Sequence, residues 1–124
     1  MNLELIPLGT EQAAEIRDKH FDIHPKVGSY VHEGRADGEL LGYVLTEDLG
    51  LVQGPHIYVL PEHRNRKSLT LVTEIFKGLY IPMMRDAGCI ALSTNCDQSD
   101  KGTTNFLQLV GFDIKKLTVA EMAL

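Results

Sequence analysis

Three cations and a hydroxyl stand together in the middle of the chain: Arg64, Arg66, Lys67 and Ser68. Before them lies Leu51 to Leu60, an uncharged run rich in β-branched, aromatic and aliphatic residues. After them Leu69, Val72, Ile75, Phe76, Leu79 and Tyr80 recur at three- and four-residue steps. The first run predicts a buried strand that Pro61 stops, and the second a helix with one apolar face. Ser68 is able to cap that helix by accepting a backbone N–H. A strand, a basic turn and a helix N-terminus in succession present free N–H groups and a positive dipole end to whatever lies above the turn. That arrangement suits a phosphate or pyrophosphate. The plain alternative is that the three cations are solvated turn charges. Cys89 and Cys96 offer no comparable chemistry, since one pair around an apolar run neither builds a disulfide framework nor supplies a metal site.

The elements that must position this turn fit into one domain spanning residues 1–124, long enough to bury a core and too short for a second. With 44% hydrophobic and 23% charged residues the composition is globular, and nothing in it reads as a disordered tail. Twelve basic against 17 acidic residues give a formal charge of -5, which argues against general nucleic-acid binding by phosphate neutralisation. The basic charge is local. No apolar run reaches the length of a membrane span, and Met1 to Glu4 does not begin a secretory signal, so a cytoplasmic protein with reduced cysteines is expected.

Along the chain, Asn2 to Leu8 reads as an opening strand, Thr10 as a helix cap and Glu11 to His20 as its helix. His24 to Gly28 fits either a loop or a second short helix. Ser29 to Glu33 and Glu39 to Thr46 are strand-like, joined across Asp37-Gly38, a strong hairpin signal. With Gly50 closing the next turn, three antiparallel strands follow from the short loops. Cys89 to Thr94 is another apolar strand, and a long helix between it and Leu51–Leu60 makes a βαβ unit with parallel strands. Asn105 to Val110 is a short helix ending at Gly111, and Phe112 to Val119 a last strand. Gly54-Pro55 predicts a bulge or a local parting of strands, and Pro82 a kink near Gly78 or a break in the long helix.

This order of elements resembles the GNAT superfamily of acyl-coenzyme A dependent N-acyltransferases over nearly the whole chain. Three stretches carry the resemblance: Asp37-Gly38-Glu39-Leu40-Leu41-Gly42-Tyr43-Val44, Ile57-Tyr58-Val59-Leu60-Pro61-Glu62-His63-Arg64 and Asn105-Phe106-Leu107-Gln108-Leu109-Val110-Gly111-Phe112. It implies an α/β fold with a central mixed sheet of six or seven strands flanked by helices. It further implies acetyl-CoA as cofactor and transfer of its acyl group to an amine. The pantetheine arm would lie along Ile57, Tyr58 and Val59, and the pyrophosphate over Arg64, Asn65, Arg66, Lys67, Ser68 and Leu69.

The family's pyrophosphate motif sets Gln or Arg first, then after two residues a Gly, then after one more a Gly or Ala. Arg64 fits the first position, while Lys67 and Leu69 stand where the small residues belong. Their side chains fill space that close backbone approach to phosphate requires. Where members carry a glutamate base this chain has Gln53, and an amide accepts no proton near neutrality. His56 on the same strand is the substitute, its ordinary pKa lying close to neutral; an ordinary strand histidine is the alternative. Leu107 stands where a tyrosine acid is common. Tyr30, Gln53 and Asn95 are the candidate substrate-side residues. Three functions therefore stand side by side: an amine acyltransferase, an inactive relative kept as an interaction or structural protein with a protein partner, and a CoA-binding module without chemistry. Small degenerate stand-alone members are what the resemblance leads one to expect among bacteriophage proteins. The apolar periods place Leu41, Val44, Ile57, Val59, Val72, Phe76, Leu79, Ile90, Leu92, Leu109 and Phe112 in the core.

Overall fold

Asp37 and Gly38 both take positive φ, 49° and 80°, the backbone that a two-residue hairpin turn needs and that an Asp-Gly pair readily adopts. The computed structural model describes residues 1–23, 28–95, 100–115 and 119–124. On either side of the turn run β2 (Ser29–Ala36) and β3 (Glu39–Leu49), preceded by β1 (Leu3–Pro7) and α1 (Thr10–His20). A second tight turn at Gly50 leads into β4 (Val52–Val59), and β1 to β4 form an antiparallel meander. The helix α2 (Arg66–Ile75) continues through a π turn (Phe76–Tyr80) into α3 (Ile81–Asp86). β5 (Ala91–Asn95) then returns parallel to β4, as a helix-long crossover permits. After α4 (Lys101–Leu109) come β6 (Asp113–Lys115) and β7 (Val119–Ala123). The sheet has seven strands in the order β1-β2-β3-β4-β5-β7-β6.

The mixed α/β sheet and the parallel β4–β5 step are as the sequence predicts. The last strand is not. Where one strand over Phe112 to Val119 was expected, β6 and β7 pair antiparallel, with β7 inserted beside β5. The helix after the basic turn begins at Arg66 rather than beyond Ser68. Asn65, in extended backbone, accepts the Ser68 N–H at 2.9 Å and is the cap. α4 likewise starts earlier, at Lys101, because Asp100 caps it through Thr103. The His24 to Gly28 stretch lies largely outside the described residues, as does Cys96.

The principal core joins Val44, Phe76, Tyr80, Leu92, Leu107 and Phe112, with a smaller cluster of Ala36, Leu41 and Ile75. Ile90 and Leu109 were expected inside and are 58% and 63% exposed. Ile90 sits ahead of β5 and Leu109 on the last turn of α4, where the apolar period continues past the surface that covers it. Ile57, Val59, Val72 and Leu79 are only half-buried. Pro82 accounts for the π turn, since it has no N–H to return to the helix; one step earlier the Ile81 N–H reaches back to Phe76 O. The wider turn sets Tyr80 wholly inside, its hydroxyl 2.8 Å from Thr46 Oγ1 on β3.

Candidate functional site

β4 and β5 share only two rungs, Val52 with Ala91 and Gln53 with Leu92, although both strands run on. The break falls at Gly54-Pro55. Against β3 the register of β4 is continuous through this pair, so there is no bulge on that side and the strands part on the β5 side alone. Leu60 donates to Leu41 O across β3. Antiparallel ladders alternate, so Pro55, Ile57 and Val59 direct their backbone groups away from β3, toward the parted edge. Pro55 has no N–H to offer there. Among the described residues, the Ile57 amide and the Val59 N–H stand along that edge without a strand partner.

The parting opens a cleft of about 640 Å³. Pro55 to Val59 form one wall, and Thr94, Asn95 and the start of α4 at Asp100, Gly102 and Thr103 form the other. Its apolar floor includes Phe76, Phe106, Leu107 and Phe112. The end of α1 adds His20, Phe21 and Asp22. Among the described residues no group of side chains is arranged to hold a metal, and no helix is long and apolar enough to cross a membrane.

His56 lines the cleft, and its Nε2 is hydrogen-bonded to the Glu47 carboxylate of β3. The two side chains are 24% and 22% exposed. They share a face because Glu47 opposes Gly54 and Leu45 opposes His56, which puts Glu47 on the diagonal. The sequence reading missed Glu47. Its signal was the tight turn at Gly50, which fixes the register of β3 on β4 and so the diagonal. His20 was also missed; its ring stacks on Tyr58 at 4.0 Å, and burial followed by the nearby Lys19 charge lowers its pKa.

The substrate-side candidates divide. Asn95 is exposed on the cleft wall. Gln53 and Tyr30 lie outside the cleft lining, joined to each other at 3.0 Å. Gln53 also donates to Asp48 Oδ1 at 2.8 Å and to Gly50 O at 2.6 Å, so the structure employs its amide to hold the β3–β4 turn. Burial pushes the Tyr30 and Tyr80 phenols up, which keeps both protonated.

At the basic turn the side chains are less available than their sequence suggests. Arg64 folds back, its Nε donating to Val59 O at 2.9 Å and its guanidinium 5.3 Å from the centre of the Tyr58 ring. Ser68 is 7% exposed and points inward, its Oγ 3.1 Å from His63 Nδ1, while His63 Nε2 meets Glu39 at 3.2 Å. That serine, histidine and glutamate have the types of a hydrolase triad, but the buried hydroxyl lies off the cleft and the trio pins the turn. The Ser68 N–H is taken by Asn65. Arg66 and Lys67 remain exposed, with their N–H groups in the first helical turn. The Leu69 side chain reaches into the cleft mouth.

No protein-family model and no curated protein matches the chain. Solved structures do. A GNAT family acetyltransferase from Elizabethkingia anophelis with acetyl-CoA bound is similar at a TM-score of 0.70 and 12% identity, covering 99% of each chain. PseH, an N-acetyltransferase from Campylobacter jejuni in complex with acetyl coenzyme A, is similar at 0.65 and 12%, covering 98% of this chain and 99% of that one. PaiA N-acetyltransferase from Thermoplasma acidophilum, in complex with coenzyme A, is similar at 0.63 and 15%, covering 91% of this chain and 68% of that one. At such identities the likeness is one of fold.

Proposed function

The chain carries the GNAT acetyltransferase fold, and on that premise we propose that it binds acetyl-CoA in the β4–β5 cleft and transfers the acetyl group to an amine. The observation that carries this reading is the parted strand edge with His56 beside it: the Ile57 amide and the Val59 N–H, left without a strand partner among the described residues, suit an amide-bearing arm, and an imidazole able to take a proton lines the same cleft. Acetyl-CoA, when bound, supplies the thioester carbonyl. Ile57 and Val59 hold the arm in extended register, much as a sheet edge takes an added strand. Phe106, Leu107 and Phe112 exclude water from the floor. His56 takes the proton that the amine gives up as its nitrogen bonds to carbon. The thiolate released as the C–S bond breaks would take its proton from solvent, because the buried Leu107 has none to donate.

The fit is poorer at the phosphate end. Arg66, Lys67 and two first-turn N–H groups face an anion there, whereas Arg64 and Ser68 are engaged elsewhere. A second reading, CoA binding without transfer, is favoured by Leu107. The test is acetyl-CoA with a panel of primary amines, following thiol release alongside the unfolding midpoint. The transfer reading expects a raised midpoint and amine-dependent thiol release that His56→Ala abolishes without losing the midpoint shift. A midpoint shift without release supports the second reading. No shift at millimolar acetyl-CoA contradicts both.

A further inference from the structure

The hydrogen bond between His56 and Glu47 joins a residue on the cleft to one that is not among its lining. A carboxylate can only accept, so the nitrogen facing it, Nε2, carries a proton. Neutral imidazole has one N–H, which leaves Nδ1 as the atom with a lone pair. Among the described residues no hydrogen bond or ion pair reaches Nδ1. The other titratable groups on the cleft are His20 and Asp22 at the end of α1, Tyr58 on β4, Arg64 in the turn and Asp100 before α4, and none of them bonds to the ring. On β3 Glu47 alone does so.

The residue opposite Glu47 puts nothing in its way. Gly54 pairs with Glu47 across the two strands and has no side chain of its own. A Cβ built at Gly54 would stand 3.4 Å from Glu47 Cβ and 3.2 Å from Ser93 O on β5. The second contact is tight and with backbone, which yields little, while the first is at the edge of ordinary contact. Gly54 therefore lets β5 come close just where the strands begin to part, and it sets no side chain of its own between Glu47 and His56.

We propose that Glu47, seated over Gly54, is a positioning residue that holds His56 in its Nε2–H tautomer and so presents Nδ1 as the proton acceptor. This rests on the transfer reading for its purpose but not for its test. The carboxylate also stabilises the imidazolium that forms when the proton arrives, as a neighbouring anion does for any histidine. The division of labour is that of a carboxylate behind a histidine base, with neither residue altered covalently.

The experiment is a long-range ¹H–¹⁵N titration of the histidine rings in the intact chain, for the wild type, Glu47→Ala and Gly54→Ala. Wild type is expected to show His56 as a single neutral tautomer protonated at Nε2. Glu47→Ala should show mixed tautomers, and Gly54→Ala should move the ring toward the same mixture with Glu47 still present. If turnover is found, kcat falls in both variants, by less than the roughly 10²–10⁴-fold expected for loss of the base itself. The KM for acetyl-CoA holds in Glu47→Ala. A merely structural Glu47 would lower the unfolding midpoint and leave the tautomer where it was. An unchanged His56 tautomer in Glu47→Ala overturns the inference. Should Gly54→Ala fail to fold, Glu47→Ala decides alone. Should no amine be acetylated, the transfer reading falls and the ring spectra still decide the tautomer.

Discussion

The cleft has two ends, and they are furnished differently. At the Gly54–His56 end Glu47 grips Nε2, Gly54 lets β5 come close, and the strands part beside the ring. At the Arg64–Leu69 end the groups that could meet phosphate are spent on the fold. Arg64 lies on Tyr58 and Val59 O, Ser68 on His63, and the Asn65 side chain fills the cap position that an anion would take. Chemistry and grip are therefore separable in this molecule. Under the proposed function, an acyl donor would be held mainly by its extended arm, with weak electrostatic help from Arg66 and Lys67.

The sharpest way to break this comparison is at the chemical end. His56→Ala is expected to lower kcat by roughly 10²–10⁴-fold with little change in affinity for acetyl-CoA, as for a group acting in the transition state. Equal loss in affinity, measured by calorimetry, would put His56 among the binding groups and erase the division. The next largest effect belongs to the other end. Replacing Lys67 and Leu69 together with glycine should tighten acetyl-CoA binding by admitting closer backbone approach. It should also cost about 1 kcal/mol of stability for each glycine, since both positions lie in α2. Denaturant unfolding and calorimetry measure the two quantities on one variant. Wild-type affinity should meanwhile fall as salt rises, because exposed cations supply the attraction.

Asn65→Ala is a smaller probe. Loss of the cap should cost about 1 kcal/mol and at the same time free the Ser68 N–H for an anion. Its affinity for acetyl-CoA should therefore hold or rise while its unfolding midpoint drops. The smallest effect is on stability in the acid range. His32 is 8% exposed with an unpartnered Nδ1, and burial lowers its pKa below the ordinary 6.5. The unfolded chain thus binds this proton more readily, so the stability that the neutral ring contributes is present above pH 6.5 and is lost as pH falls from there toward the depressed folded value. His32→Phe should flatten the midpoint's pH dependence in that window.

Much of the frame was legible because local signals carried it. Asp37-Gly38 and Gly50 fixed two turns, short loops forced the meander, and the apolar period of Leu69 to Tyr80 demanded a crossover helix and hence a parallel β5. What escaped depended on tertiary placement. Phe112 to Val119 reads as one strand because nothing in its composition announces that β7 will slot between β5 and β6. Ile90 and Leu109 keep to their apolar periods and are still largely exposed. Asn65 outcompetes Ser68 as cap because both types serve, and only the chain's entry angle chooses. At the site, His56 and the strand edge at Ile57 to Val59 could be named from sequence, whereas Glu47 required register. The inward turns of Arg64 and Ser68 required side-chain geometry, and so did the role of Gln53.

The central claim is that the edge of β4 left open by the parting of β5 receives the acyl donor's arm. Titrating ¹⁵N-labelled protein with acetyl-CoA and following the backbone amides tests it most directly. The account predicts saturable shifts concentrated at Ile57 and Val59, with smaller, salt-sensitive ones at Arg66 and Lys67. Shifts confined to Arg66 and Lys67, or none at millimolar acetyl-CoA, would contradict it.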